Sequence, residues 1–290
     1  MSPAIGAREP DRGRRWLALR RAARARLPPL GAAIVFLAVA AALAAPLVAP
    51  HDPLRQDLEN TLARPGRAHW LGTDNVGRDV LSRVIWGARI SLLAGTVSVA
   101  MAVVAGSALG LVAGYWGGRV DGVVMRLMDA VLSLPPLVLA LALGAVLGAG
   151  LGGVLIALAL VYTPTFSRLM RAQVLAIAAR EYVEGARALG ATGWRIAWRH
   201  VLPNAIAPVV IQASLSVAFA ILAEASLSFL GLGVQPPQAS WGSMINAGRG
   251  YLQQAPWIVF GPGAALFATV VGLSSVGDAV RDALDPRLDG

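Results

Sequence analysis

Glu184-Gly185-Ala186-Arg187-Ala188-Leu189-Gly190, followed by Trp194-Arg195, His200 and Leu202-Pro203, interrupts two long apolar runs with an arginine-rich stretch. Glu181 to Leu189 is composed of good helix formers, and Gly190 can take the left-handed conformation that ends a helix. Thr192 is placed to cap a second short helix, and Pro203-Asn204 is placed to end it and open the next span. The segment predicts two short helices at an angle, a compact knob kept small by Ala186 and Gly190. Glu184, Arg187 and Arg195 give the knob charge for orientation. Connections between helices usually take a few residues, so a polar segment of this length needs another purpose. A docking surface for a second protein suits it best.

Outward from that segment the chain is apolar. It is 56% hydrophobic and 14% charged over 290 residues, where soluble domains carry about 25% charged residues. Leu30–Val48, Ile90–Gly118, Ala205–Ala223 and Gly250–Gly277 read as spans, each long enough to cover the roughly 20 residues a bilayer crossing takes. Ala130–Ser167 is too long for one crossing, and the glycines from Gly148 to Gly153 divide it. The expectation is an all-α integral membrane protein of six transmembrane helices. The Leu30–Val48 run exceeds the roughly 7–15 residues of a signal-peptide core, so it reads as a retained span.

Charge sets the orientation. The tail from Arg8 to Arg26, and Arg168 to Arg199 after the fourth span, fall on one side. The positive-inside rule places that side, with both termini, in the cytoplasm. The predicted order is a tail at 1–28, a first span at 29–49 and an outer segment at 50–88. A five-helix core at 89–280, with the loop 168–203, precedes a tail at 281–290. A formal charge of +9 can signal nucleic acid, but here the positives flank apolar spans, and no nucleic-acid partner is expected.

Several chemistries are closed to this composition. Every basic residue is Arg, and a P-loop needs Lys, so the chain has no P-loop of its own for nucleotide hydrolysis. There is no Cys, and His51, His69 and His200 lack ligand spacing in the sequence. The chain is therefore expected to be non-catalytic, with no metal or cofactor of its own.

Within the apolar runs, Gly106, Gly110 and Gly114 recur at four-residue spacing, as do Gly144, Gly148 and Gly152; such spacing lets helices approach closely. Pro135, Pro136 and Pro164 remove backbone donors, which is tolerated where neighbours or a water-lined cavity satisfy the freed carbonyls. Glu224 is the acid deepest in an apolar run and, with Ser228 one turn later, is a candidate for a translocation path or an anchor of its helix end. In the outer segment Asp74 is a plausible N-cap, and Asp79 and Arg83 stand four apart on an amphipathic surface helix. Gln235 to Ala255 is too polar to span and fits either a hairpin dipping inward or a flat loop.

These residues together resemble a known family. Glu184-Gly185-Ala186, Gly190 and Leu202-Pro203 are similar to the coupling loop of permeases in binding-protein-dependent ABC importers. The family has Ala where Gly185 stands and Ile where His200 stands. Leu71-Gly72-Thr73-Asp74 through Gly77-Arg78-Asp79, Glu224 through Gly233, and Asp282 through Leu288 resemble the dipeptide, oligopeptide and nickel branch, in its subunit type with a short outer segment.

The resemblance implies the type I ABC importer permease fold and import by alternating access across a bacterial inner membrane. It implies a second homologous permease, two ATPase subunits that hold the ATP and Mg, and a periplasmic or lipid-anchored solute-binding protein. Di- or oligopeptides are the expected cargo, with nickel chelates, glutathione and oligosaccharides as alternatives. A secondary transporter or channel is the rival; it would need intramembrane ion ligands and often repeated halves, of which the sequence offers only Glu224.

Overall fold

A computed structural model describes residues 29–284. The arginine-rich tail at 1–28 and the chain end at 285–290 lie outside the described residues. The element order is helical throughout. Helices α1 (Pro29–Leu43) and α2 (Ala45–Val48) lead to a short 3-10 turn, and then to α3 (Val80–Trp116). Helices α4 (Gly118–Leu132), α5 (Pro136–Leu147), α6 (Leu151–Ala178), α7 (Glu181–Ala188) and α8 (Gly193–Ile196) follow. The chain continues through α9 (Leu202–Phe229) and α10 (Trp241–Gly248) to α11 (Trp257–Leu284).

The expected six spans take a different form. Among the described residues four helices are long and apolar enough to cross a membrane: Val80–Trp116, Leu151–Ala178, Gly193–Phe229 and Trp257–Ala283. The third expected span is instead a bent pair, α4 and α5, meeting at 91°. Pro135-Pro136 causes the bend: proline lacks the donor and its ring clashes with the carbonyl four residues back. The first expected span is α1 and α2, parted at Ala44 ahead of Pro46 for the same reason. Phe36, Leu37, Leu43 and Leu47 on these two helices are exposed, an outward apolar face suited to lipid.

Helices α3 and α6 form the most extensive pairing in the fold. Gly106, Gly110 and Gly114 lie along the seam. A Cβ on Gly106 would stand 2.6 Å from the Thr163 carbonyl oxygen and 2.7 Å from Phe166 Cβ. A Cβ on Gly110 would overlap the Ser167 carbonyl oxygen, and one on Gly114 would come 3.0 Å from that of Arg171. The second glycine series does not behave this way. A Cβ on Gly144 makes ordinary contact with Leu232, and Gly148 and Gly152 face open space among the described residues. Equal spacing in the sequence thus marks one interface and one turn.

The lead-in to α3 also departs from expectation. Val80 to Trp116 is one helix, so no boundary falls at 88/89, and Val80, Ser82, Arg83, Gly87 and Ala88 are buried rather than laid on a surface. Its N-cap is Asp79, which accepts from the Ser82 amide at 2.7 Å, and not Asp74. Asp74 is used one turn earlier. It accepts from the amides of Val76 and Arg78 and from Arg78 Nε at 2.7 Å, closing the loop before the helix. Arg83 pairs with this Asp74 at 3.6 Å instead of with Asp79. Asp79 already spends its oxygens on Ser82 and His69, which leaves Arg83 the other acid.

Segment 235–255 is neither a flat loop nor a simple hairpin. Ser240 caps α10 through a reciprocal pair with Ser243. The helix sits against α3, α9 and α11, with Trp241 only 2% exposed and its Nε1 donating to the Val84 carbonyl at 3.0 Å.

Candidate functional site

The projection begins where α6 ends. Residues 168–178 are the last turns of α6, so the connecting segment proper starts at Ala179 rather than at 168. Arg168 and Arg171 pair from α6 with Asp129 and Asp121 on α4, the second pair bidentate. They tie the base of the projection to α4 instead of contributing to its tip.

Helix α7 closes through a paired C-terminal motif. The Ala191 amide donates to the Ala186 carbonyl at 3.1 Å, and the Gly190 amide to Arg187 at 3.0 Å. This 6→1 and 5→2 pairing requires a left-handed residue, and Gly190 has φ +81°. The expected cap at Thr192 is made by backbone position alone, with no side-chain hydrogen bond among the described residues.

The end of α8 differs from expectation more strongly. Pro203-Asn204 does not terminate it. Helix α8 runs through a π turn at Ala197–Val201 into α9 without a break. The wider turn gives room for the Pro203 ring, which would clash in a regular helix. The Asn204 side chain donates to the His200 carbonyl at 2.7 Å, satisfying an acceptor at the irregularity.

The projection is rooted on one side and bare on the other. Val183, Ile196, Ala197 and Val201 are buried in one cluster with Phe166, Met170, Val174 and Ile177 of α6. On the other face Leu189 is 91% exposed, and Trp194 and Trp198 are more than half exposed. Glu184, Gly185, Arg187, Gly190, Arg195 and Pro203 are also exposed; Ala186, His200 and Leu202 are half-buried. Trp194 rests on Trp116 at the end of α3, ring centroids 4.6 Å apart. Trp116 and Trp198 were not among the predicted residues. Trp198, four after Trp194, was legible as an exposed aromatic pair on one helical face. Trp116 is distant in sequence and carried no signal.

Gly185 faces open space among the described residues. Gly185→Ala is therefore expected to stabilise α7 by about 0.5–1 kcal/mol, the helix cost of glycine over alanine. Hydrogen exchange of the α7 amides measures it. Faster exchange in the variant would contradict the geometry.

The candidate pathway residues do not converge. Pro135 and Pro136 are exposed at the α4–α5 bend, and Pro164 is buried in α6, next in sequence to Thr163, whose carbonyl faces Gly106 of α3. Glu224 and Ser228 are buried together with Ser91 and Ser240. Ser91 Oγ donates to Glu224 Oε2 at 3.1 Å and Ser228 Oγ to Oε1 at 2.6 Å. Ser240 Oγ donates to Ser228 Oγ, and the Trp241 amide to Ser91 Oγ, both at 3.2 Å. Ser91 and Gly106 stand fifteen positions apart on α3, about 22 Å at a helical rise. Glu224 thus joins α3, α9 and α10 in one polar knot. Glu224→Ala would leave two buried hydroxyls without their acceptor, and is expected to cost about 1–3 kcal/mol. The thermal midpoint in detergent should fall; an unchanged midpoint would remove the knot from the account.

Comparison with known proteins follows the same outline. Residues 106–290 match the family described as binding-protein-dependent transport system inner membrane component. The chain is 45% identical over 259 residues to the "Probable D,D-dipeptide transport system permease protein DdpC" of Escherichia coli K12, covering 89% of this chain and 87% of that one. It is 46% identical over 264 residues to the di/tripeptide transport system permease DppC of Pseudomonas aeruginosa UCBPP-PA14, covering 89% and 87%. Among solved structures it is similar to a chain of the inward-facing methionine ABC transporter MetNI. The TM-score is 0.56 at 21% identity, over 71% of this chain and 97% of that one.

Proposed function

The chain belongs to the binding-protein-dependent transport system inner membrane component family, and from that premise we propose that it forms half of the pore of an ATP-driven peptide importer. The observation that carries the proposal is the projection at 179–203. It is rooted in the core by Val183, Ile196 and Val201 while Leu189, Trp194 and Trp198 stand bare. An exposed apolar tip on a rigid root suits a groove on a partner better than it suits water.

In this reading a second homologous permease completes the pore, and two cytoplasmic ATPase subunits bind the two projections. A periplasmic or lipid-anchored solute-binding protein delivers the cargo. The termini and the projection face the cytoplasm in this reading, which the arginine distribution supports. ATP closes the ATPase pair and draws the projections together, turning the pore outward; hydrolysis resets it. The ATPases hold the ATP and Mg, and this chain transmits a difference in binding energy between two states. Di- and oligopeptides are the cargo class, supported by the names of the two relatives.

The test is reconstitution with the second permease, the ATPase pair and the binding protein that this reading requires. Dipeptide uptake into liposomes should require ATP and every component. Uptake by this chain alone would favour a secondary transporter and overturn the proposal.

A further inference from the structure

At the end of α3 opposite the projection, three side chains far apart in sequence meet: His51, His69 and Asp79. His69 Nδ1 lies 3.0 Å from Asp79 Oδ1, and His51 Nδ1 lies 3.7 Å from the same oxygen. All three candidate ligand atoms fall within 4.8 Å of one another. The two imidazole rings approach with centroids 4.8 Å apart. His51 Nδ1 is buried and has no hydrogen-bond partner among the described residues. A buried nitrogen left unpaired is costly and calls for a cause.

The cluster is braced from behind. Ser82 donates to Asp79 Oδ2 from both its amide and its hydroxyl, each at 2.7 Å. The same Ser82 hydroxyl accepts from the His51 amide at 3.0 Å. One serine therefore orients the carboxylate and holds the backbone of one histidine, the kind of support that metal ligands receive from their surroundings.

We propose that His51, His69 and Asp79 bind a divalent first-row transition ion. Two imidazoles and one carboxylate suit zinc, nickel or cobalt; magnesium and calcium take oxygen ligands. Bonds of about 2.0–2.1 Å to a tetrahedral ion set its ligand atoms roughly 3.3 Å apart. The two separations from Asp79 Oδ1, 3.0 Å and 3.7 Å, stand on either side of that value, and no pair of the three lies farther apart than 4.8 Å. The ion takes the place of the proton held between His69 Nδ1 and Asp79 Oδ1. A fourth position opens onto a cleft of about 200 Å³ that Asp52, Arg55, Asp57 and Gly77 also line, where water completes the coordination. Asp52 and Asp57 are engaged elsewhere, Asp52 with the Leu54 amide and Asp57 with Asn60 and the Glu59 amide. The ion ties the stretch from His51 to His69 to the start of α3.

The test uses the full-length, untagged chain in detergent after chelation, with Zn²⁺ alone by calorimetry and Co²⁺ by visible absorption. One Zn²⁺ per chain is expected, with the intense bands of low-coordinate Co²⁺. His51→Ala is expected to weaken binding at least about tenfold, since even outer-shell changes cost 10–100-fold. Its metal-free thermal midpoint, read alongside, reports the loss of the ring packed against His69 separately from the loss of the metal. His51→Gln, which keeps the bulk, should show the same loss, and His200→Ala should bind like the wild type. Absence of stoichiometric Zn²⁺ binding overturns the proposal, as does undiminished binding in both His51 variants.

Discussion

Gly110→Leu is expected to abolish accumulation of folded protein in the membrane. At Gly110 a Cβ alone would overlap the Ser167 carbonyl oxygen and lie 2.9 Å from Met170 Cβ and 3.0 Å from the Arg171 amide. Two of those three atoms are backbone, so no rotamer change relieves the clash. Helix α6 must move away from α3 along the seam that also holds Gly106 and Gly114. Overpacking costs typically 1–3 kcal/mol, and here about 3 kcal/mol or more, because rigid backbone opposes it. Total stabilities are only about 5–15 kcal/mol. Without water in the bilayer core, close packing carries the helix pairing, so its loss is not recovered elsewhere. Gly152→Leu is the control, since nothing lies within 4 Å of its Cβ among the described residues. Fluorescence-detected size exclusion should show a folded peak for the control and none for Gly110→Leu. Equal peaks would show that the seam is not closed as described.

Gly190→Pro is expected to separate ATP hydrolysis from uptake while leaving the chain in the membrane. The position needs φ near +81° and its amide donates to the Arg187 carbonyl. Proline fixes φ near −65° and has no donor, so the paired closure of α7 cannot form. The damage stays local. Val183, Ile196, Ala197 and Val201 remain packed on α6, and no atom within 4 Å of the Gly190 Cβ among the described residues transmits the strain. What is lost is the fixed angle between α7 and α8, and so the ability to pass a difference in binding energy to the pore. Couplings between sites run at about 1–3 kcal/mol, so uptake per ATP should fall roughly 5–150-fold. Gly190→Ala, which keeps the amide but pays about 1–2 kcal/mol for the left-handed conformation, should lie between. Wild-type uptake in the proline variant would take the rigid closure out of the mechanism.

Much of this was legible because the determinants are local. Gly190 ends α7 as expected, since a left-handed C-terminus is a matter of two or three neighbouring residues. The four long apolar helices were visible as uncharged runs. The misreadings arose where distant segments compete for the same partner. Asp74 was the expected cap and Asp79 the expected partner of Arg83; the roles are exchanged because Asp74 is taken by Val76, Arg78 and Arg83. Pro203 reads as a helix end, and only the π turn before it, with the Asn204 side chain, lets the helix continue. Two identical glycine spacings could not be told apart, because only one of them faces α6. Glu224 stood out as a lone acid, but Ser91 and Ser240, which complete its knot, lie on other elements.

The central claim is that the bare tip of the projection seats in an ATPase subunit. The chain has no cysteine, so Leu189→Cys supplies a single reactive position at the tip. In the assembled transporter a short bifunctional crosslinker should join Leu189→Cys to the ATPase, with a yield that changes on ATP binding. A cysteine at exposed Leu230, near the far end of α9, should give no such product. Absence of any crosslink from the tip in an assembled, transport-active complex would contradict the account.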